Sequence, residues 1–375
     1  MKWPLLTLLP LLASGAAFAQ NETLQANEAQ AEAPAPVEIE PLDAEAQRLV
    51  DMLTGSWRTS SPIAEGDDHL VVHLAPFTSP TLGHVIYVES AREGDPWTAT
   101  RQSLFKVYRF GDQLRLRTLE FRSHENRQWE HLIGMWAAPD LIPGDQISAD
   151  ATIATMDLNM DAAATGCAGA SPCPYPTREY DAVEMTSSLQ ISPDRIVTKD
   201  TFYGADGSVV AGAGVTSDAS GIEWEPLQTD VTVQRDDDGL VQIFMTSVPE
   251  DAETPTEGAN VYVHYSGWLL SGQMFDSSHL RGVAYRFVYP GQFIEGWSRA
   301  IADMAPGARR KLIIPPELGY ADRPMRSIPP NSTLIFDVEM LKIEPPTEPA
   351  PTPDQPAGNQ GGGNAGGGSG NDGGG

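Results

Sequence analysis

Cysteine is almost absent from this chain, at two in 375 residues. Cys167 and Cys173 share one stretch rich in Gly, Pro and Ser, with no second thiol pair and no histidine closer in sequence than His131. That ligand supply argues against an ordinary zinc centre, and no metal is expected. In an oxidising compartment the spacing argues instead for a local Cys167–Cys173 disulfide, whose short loop would contribute only about 2 kcal/mol. Basic side chains are scarce as well. With 24 Lys and Arg against 51 Asp and Glu the formal charge is −27, which excludes a nucleic-acid binder working through a basic field. No run approaches the roughly 20 apolar residues of a membrane helix, so no membrane span is expected. The seven histidines, the serines and the cysteines show no nucleophilic-triad spacing, which argues against a hydrolase.

The ends have compositions of their own. Lys2, an apolar stretch from Trp3 to Leu12 and the small-residue close Ala17-Phe18-Ala19 follow the order of a secretory signal cleaved after Ala19. The mature chain is therefore expected to be exported, periplasmic or secreted, and no Cys follows to take a lipid. Residues 20–43, rich in Ala, Glu and Pro, read as a disordered linker. Residues 345–375 pass from Thr/Pro repeats into Gly and Asn and read as a flexible tail.

From residue 44 to 227 the pattern opens with one helix, in which Ala46, Leu49, Val50, Leu53 and Trp57 recur at helical spacing. Strand signals follow: Leu70 to Leu74, His84 to Glu89, Ser103 to Tyr108, Gln113 to Arg117, Ala182 to Ile191, Arg195 to Tyr203 and Val209-Val210, with Gly-Asp and Asp-Gly turns between. Many short antiparallel strands point to a closed or nearly closed barrel able to enclose a pocket. Glu89 and Arg101, on neighbouring strands, are candidates to face that pocket, with Tyr87 beside them. An arginine fork there suits a carboxylate ligand, and an ordinary cross-strand ion pair is the alternative. His69 and His73 would chelate on a helix, but on a strand they lie about 13 Å apart.

This region resembles the bilin lyases of the CpcT/CpeT type. The resemblance lies in Leu53-Thr54-Gly55-Ser56-Trp57, Ile86-Tyr87-Val88-Glu89-Ser90-Ala91, Arg101-Gln102, Thr165-Gly166-Cys167 and the run Asp200 to Gly212. It implies a mainly-β, calyx-like antiparallel barrel that holds a small hydrophobic or tetrapyrrole-like ligand. The family's Asp-Arg-Gly-Phe-Asp pattern stands here as Asp200-Thr201-Phe202-Tyr203-Gly204, and Ala211 stands in place of its following Trp.

Residues 228–344 change character. A strand at Val241 to Met245 is followed by the alternating Val261 to Leu269, a turn at Ser271-Gly272 and Met274-Phe275-Asp276. One helix carries Ile294, Trp297, Ile301 and Met304 on a single face, and Pro306-Gly307 stops it. Strands at Arg309 to Ile314 and Ser332 to Ile343 complete an α+β unit, a curved antiparallel sheet around one helix. Five ordered blocks are similar to the FK506-binding type of peptidyl-prolyl cis-trans isomerase. They are Val263-His264-Tyr265-Ser266-Gly267, Phe275-Asp276-Ser277-Ser278, Gly291 to Trp297, Ile314 to Tyr320 and Ile328 to Val338. The resemblance implies a prolyl pocket formed by Tyr265, Phe275, Asp276, Tyr285, Phe293, Ile294, Trp297, Tyr320, Ile328 and Phe336. Ala321 stands where the family usually has Gly, and the loop Asp322 to Ser327 is charged and slightly short.

Rotation about an X–Pro bond needs no nucleophile, proton transfer or cofactor, only a barrier below the uncatalysed ~18–20 kcal/mol. At the perpendicular transition state amide resonance is lost and charge separation falls, so an apolar aromatic cup favours it over the planar ground state. The sequence thus leads to an exported folding helper acting on proline-containing polypeptides. Its alternatives are a tetrapyrrole lyase or carrier, and a peptide-binding chaperone with little isomerase activity.

Overall fold

The computed structural model describes residues 39–62, 67–121, 129–145, 149–150, 155–158, 163–165, 173–174, 181–212, 221–246, 248–249 and 251–346. The expected leader, the linker up to residue 38, the tail beyond residue 346 and Cys167 of the expected disulfide lie outside them.

Helix α1 (Ala44–Leu53) starts where the Asp43 carboxylate accepts the Glu45 and Ala46 backbone N–H groups, each at 3.0 Å, satisfying donors that the first turn leaves orphaned. Its buried face is Ala46, Leu49, Val50 and Leu53. The apolar spacing extends this helix to Trp57, but the structure ends it at Leu53. Thr54 is extended and Gly55 takes φ +131°, a region open to glycine. The Trp57 indole N–H caps the freed Leu53 carbonyl at 3.2 Å, and Trp57 joins the same core from a strand.

Strands β1 (Gly55–Thr59), β2 (Leu70–Ser79), β3 (Gly83–Arg92), β4 (Asp95–Phe110) and β5 (Gln113–Phe121) form an antiparallel meander. The short β6 (Ala149–Asp150), β7 (Thr155–Leu158), β8 (Ala163–Thr165) and β9 (Cys173–Pro174) follow, then β10 (Glu184–Ser192), β11 (Arg195–Tyr203), β12 (Val209–Gly212) and β13 (Ile222–Pro226). Pairings of β10 with β11, β11 with β13 and β13 with β1 lead the hydrogen bonding back to the start of the meander. Inside lie Val72, Leu74, Ile86, Val88, Phe105 and Val107, packed with the buried face of α1.

The second sheet contains β14 (Thr232–Arg235), β15 (Val241–Phe244), β16 (Asn260–Leu269), β17 (Met274–Ser277), β18 (Tyr285–Val288), β19 (Arg309–Ile314) and β20 (Leu334–Glu344), all antiparallel. Helix α2 (Glu295–Ala302) lays Trp297, Ala300 and Ile301 against Leu312, Ile314, Phe336 and Val338.

The other face of this sheet is covered too. Val241, Ile243, Trp268, Ile313 and Ile335 share a core with Phe77, Val85, Tyr87 and Leu104 on the outer face of the meander, and with Trp129, Leu132 and Met135 between them. Alternation predicts a polar outer face for a barrel, yet β2 is buried at nearly every position, because both faces are covered. Lys311 lies within this junction, 1% exposed. Its Nζ meets Asp337 Oδ1 at 2.6 Å and donates to the His131 carbonyl at 3.1 Å.

The junction also corrects the expected ligand site. Register pairs Glu89 with Gln102 and Ser90 with Arg101, so Glu89 and Arg101 leave opposite faces of the sheet. Tyr87 and Glu89 point outward from the ring and are closed over by residues 129–138. The Tyr87 hydroxyl donates to Glu89 at 2.7 Å and lies 3.2 Å from the Leu132 carbonyl, while Gly134 N–H donates to Glu89 at 3.1 Å. Burial pushes the Glu89 carboxyl up to about 7 against the pull of these donors and of Lys311. Arg101 is buried on the inner side, the side of Phe105 and Val107. The three residues do not converge on one cavity.

Candidate active site

Alternation along β16 sends Tyr265 and Gly267 to the α2 side of the sheet and Trp268 to the junction. Gly267 is required for contact: a Cβ there would stand 2.7 Å from both Phe275 and Phe336, so glycine lets the two rings meet edge to face at 5.4 Å. Trp297, carried by the first turn of α2, lies 5.8 Å from Tyr265, 4.7 Å from Phe293 and 6.4 Å from Phe336 between ring centres. Tyr285 approaches Tyr265 edge-on at 5.9 Å. These angled contacts are those that ring quadrupoles favour.

The rings and the segment 317–328 line an open cavity of about 1090 Å³, and all ten residues carried over from the motifs are in its wall. Ile294 caps α2 without a side-chain bond, and its N–H makes no backbone hydrogen bond among the described residues, leaving a donor at the helix entrance. Tyr320 follows the turn Pro316–Leu318 and lines the same cavity. Ile328 closes the far end of the loop.

One polar cluster interrupts the apolar wall. Tyr265 donates to Asp276, and Arg281 binds Asp276 and donates to the Tyr265 hydroxyl at 3.1 Å. Partial burial and the adjacent carboxylate push the Tyr265 hydroxyl up to about 12, so it stays a donor. Burial opposes ionisation of Asp276, but the Tyr265 hydroxyl and the Arg281 guanidinium outweigh it and hold the carboxyl below its ordinary value. The cup therefore presents an ionised Asp276 carboxylate, oriented by the Tyr265 hydroxyl and the Arg281 guanidinium, beside an apolar floor. Arg281 was not among the residues read from the motifs. Its five-residue separation from Asp276 matches no regular period, and only the turn Ser277 to Gly282 brings it back.

The loop over the cavity has the features that its sequence flagged. Ala321 takes φ +52° and Asn331 φ +58°, the left-handed region that glycine enters most easily. Ala321 N–H donates to Pro316 O at 2.8 Å, and Asn331 N–H to Ala321 O at 2.7 Å, fixing the base of the loop in that conformation.

A model of the FKBP-type peptidyl-prolyl cis-trans isomerase family matches residues 251–341. The peptidyl-prolyl cis-trans isomerase Fkbp12 of Drosophila melanogaster is 46% identical over 106 residues, 28% of this chain and 98% of that protein. The FKBP-type isomerase FkpA of Escherichia coli is 43% identical over 93 residues, 25% of this chain and 34% of that protein. The chain thus spans about a third of the length of FkpA. The crystal structure of FkpA matches 30% of this chain and 52% of its own at 39% identity, with a TM-score of 0.28.

Proposed function

The chain belongs to the FKBP-type peptidyl-prolyl cis-trans isomerases, and on that footing we propose that the whole protein is an exported isomerase of proline-containing polypeptides that uses no cofactor. The observation that carries this reading is the single cavity in which the Tyr265–Asp276–Arg281 cluster meets the Trp297 floor and the Phe275 and Phe336 walls. A pyrrolidine ring fits the apolar walls. The Ile294 N–H and the Tyr320 hydroxyl serve as handles for carbonyls flanking the proline, and the Asp276 field acts on the twisting amide. Export rests on the signal-like residues 1–19. The N-terminal ring serves as the docking partner of the isomerase sheet and not as a lyase or a tetrapyrrole carrier, since Tyr87 and Glu89 are engaged in the junction.

The test is exchange spectroscopy on the full chain without residues 1–19, using a Leu-Pro peptide. Acceleration of cis–trans exchange, and its block by an FK506-type macrolide that fills the same walls, are expected. An exchange rate equal to that of the peptide alone would leave a peptide-binding module in place of an enzyme. An intact mass beginning at Met1 in exported material would refute cleavage.

A further inference from the structure

The mouth of the cavity carries charge that the aromatic cup does not use. Arg323 and Arg326 stand on the loop between Tyr320 and Ile328, both exposed and both lining the cavity. The loop holds them in place. Arg323 N–H closes a turn on Tyr320 O at 3.1 Å, and Met325 and Ile328 exchange backbone bonds of 3.0 and 3.2 Å, which turns the chain tightly at Arg326. The other charged groups of the lining are Arg281, Asp276, Glu295 and Glu317. Arg281 is committed to Asp276, and Glu295 to Arg299 on its own helix. No ion pair involves Arg323 or Arg326 among the described residues, and Glu317 is the one carboxylate of the lining left to oppose them. Two exposed arginines thus border the pocket of a molecule whose formal charge is −27, with Asp322 beside Arg323 on the same loop as the other nearby carboxylate in the chain.

We infer that Arg323 and Arg326 make the prolyl pocket prefer client segments with an acidic residue within two positions of the proline. The inference rests on the isomerase reading above. Two extended residues span roughly 7 Å, within reach of a long arginine side chain at the rim, and a guanidinium matches a carboxylate with two parallel donors. Both arginines are solvated, so each pair has the strength of a surface ion pair and is screened by salt. A preference of about two- to fivefold follows.

The test uses the full chain without its first 19 residues and pairs of proline peptides that differ only by Glu or Gln at positions −2, −1, +1 and +2 from the proline. kcat/KM is measured by exchange spectroscopy and Kd by fluorescence anisotropy, at low and high salt. A Glu-over-Gln ratio of about two to five at one or more positions is expected, collapsing toward one at high salt. R323Q/R326Q should lose the ratio, R323K/R326K should keep most of it, and R323E/R326E should turn it toward Lys peptides. A ratio of one at every position, or a ratio unchanged in R323Q/R326Q, overturns the inference. Failure to accelerate any peptide overturns the isomerase reading instead, and the Kd ratios then still decide the charge preference.

Discussion

Asp276 is the group on which the proposed chemistry can be tested most cleanly, because it contributes a field and little packing. Its side chain is 42% exposed, whereas Phe336 is 6% exposed and part of the α2 core. Asp276→Asn is expected to lower kcat/KM by about threefold to tenfold, roughly 1 kcal/mol at a half-exposed site, with the melting temperature nearly unchanged. Phe336→Ala should lower activity and also cost about 3–5 kcal/mol of stability, read by denaturant unfolding. Ala321 offers a test of opposite sign. It holds a left-handed backbone pinned by two hydrogen bonds, so Ala321→Gly should raise stability by about 1 kcal/mol. A fall on the same unfolding curve would mean that the strain is absent.

The segment 129–142, three short 3₁₀ turns laid over β2 and β3, sets the titration behaviour of the junction. Trp136 from this segment stacks on His73 at 3.7 Å, Ser56 Oγ bonds His73 Nδ1 at 2.7 Å, and burial holds the imidazole down to about 3. His73 therefore contributes stability that is fully present above its ordinary 6.5 and is lost as pH falls toward 3. Glu89 works in the opposite sense: raised from 4.5 to about 7, it contributes stability present below 4.5 and lost as pH rises through 7. Between about 4.5 and 6.5 the two slopes oppose each other. Relative to wild type, Glu89→Gln should gain stability as pH rises through that window, and His73→Gln should lose it, measured as melting temperature against pH. None of this was legible in the sequence. Residues 129–142 show neither helical nor strand period, and the Glu89–Arg101 pairing failed because the β3–β4 ladder sets Gln102, not Arg101, opposite Glu89, a register that alternation along each strand alone does not reveal. The aromatic cup was legible because its side chains sit in ordered motifs. Strand β18 and the return of Arg281 were not, since a four-residue edge strand and an irregular turn leave no periodic trace.

Among the described residues, two sheets, one α-helix on the far side of each and a common apolar junction make the halves interdependent. Lys311 is the most exacting element of that junction, a fully buried ammonium held by Asp337 and the His131 carbonyl. Lys311→Ala should destabilise the protein by about 3–5 kcal/mol, since it leaves Asp337 without its cation. Lys311→Met combined with Asp337→Leu should recover most of that loss. A fragment beginning at Thr229 would bare Ile243, Trp268, Ile313 and Ile335, residues 0–7% exposed in the full chain. Such a fragment is expected to bind an apolar dye and to self-associate, as sedimentation would show. The coverage of β19 and β20 on both faces, by α2 on one side and the junction on the other, also has a kinetic consequence. Their amides cannot meet solvent through fraying at an edge or loosening of one layer. They should be the last protons in the molecule to exchange for deuterium, and their rate becomes a clock for separation of the two halves.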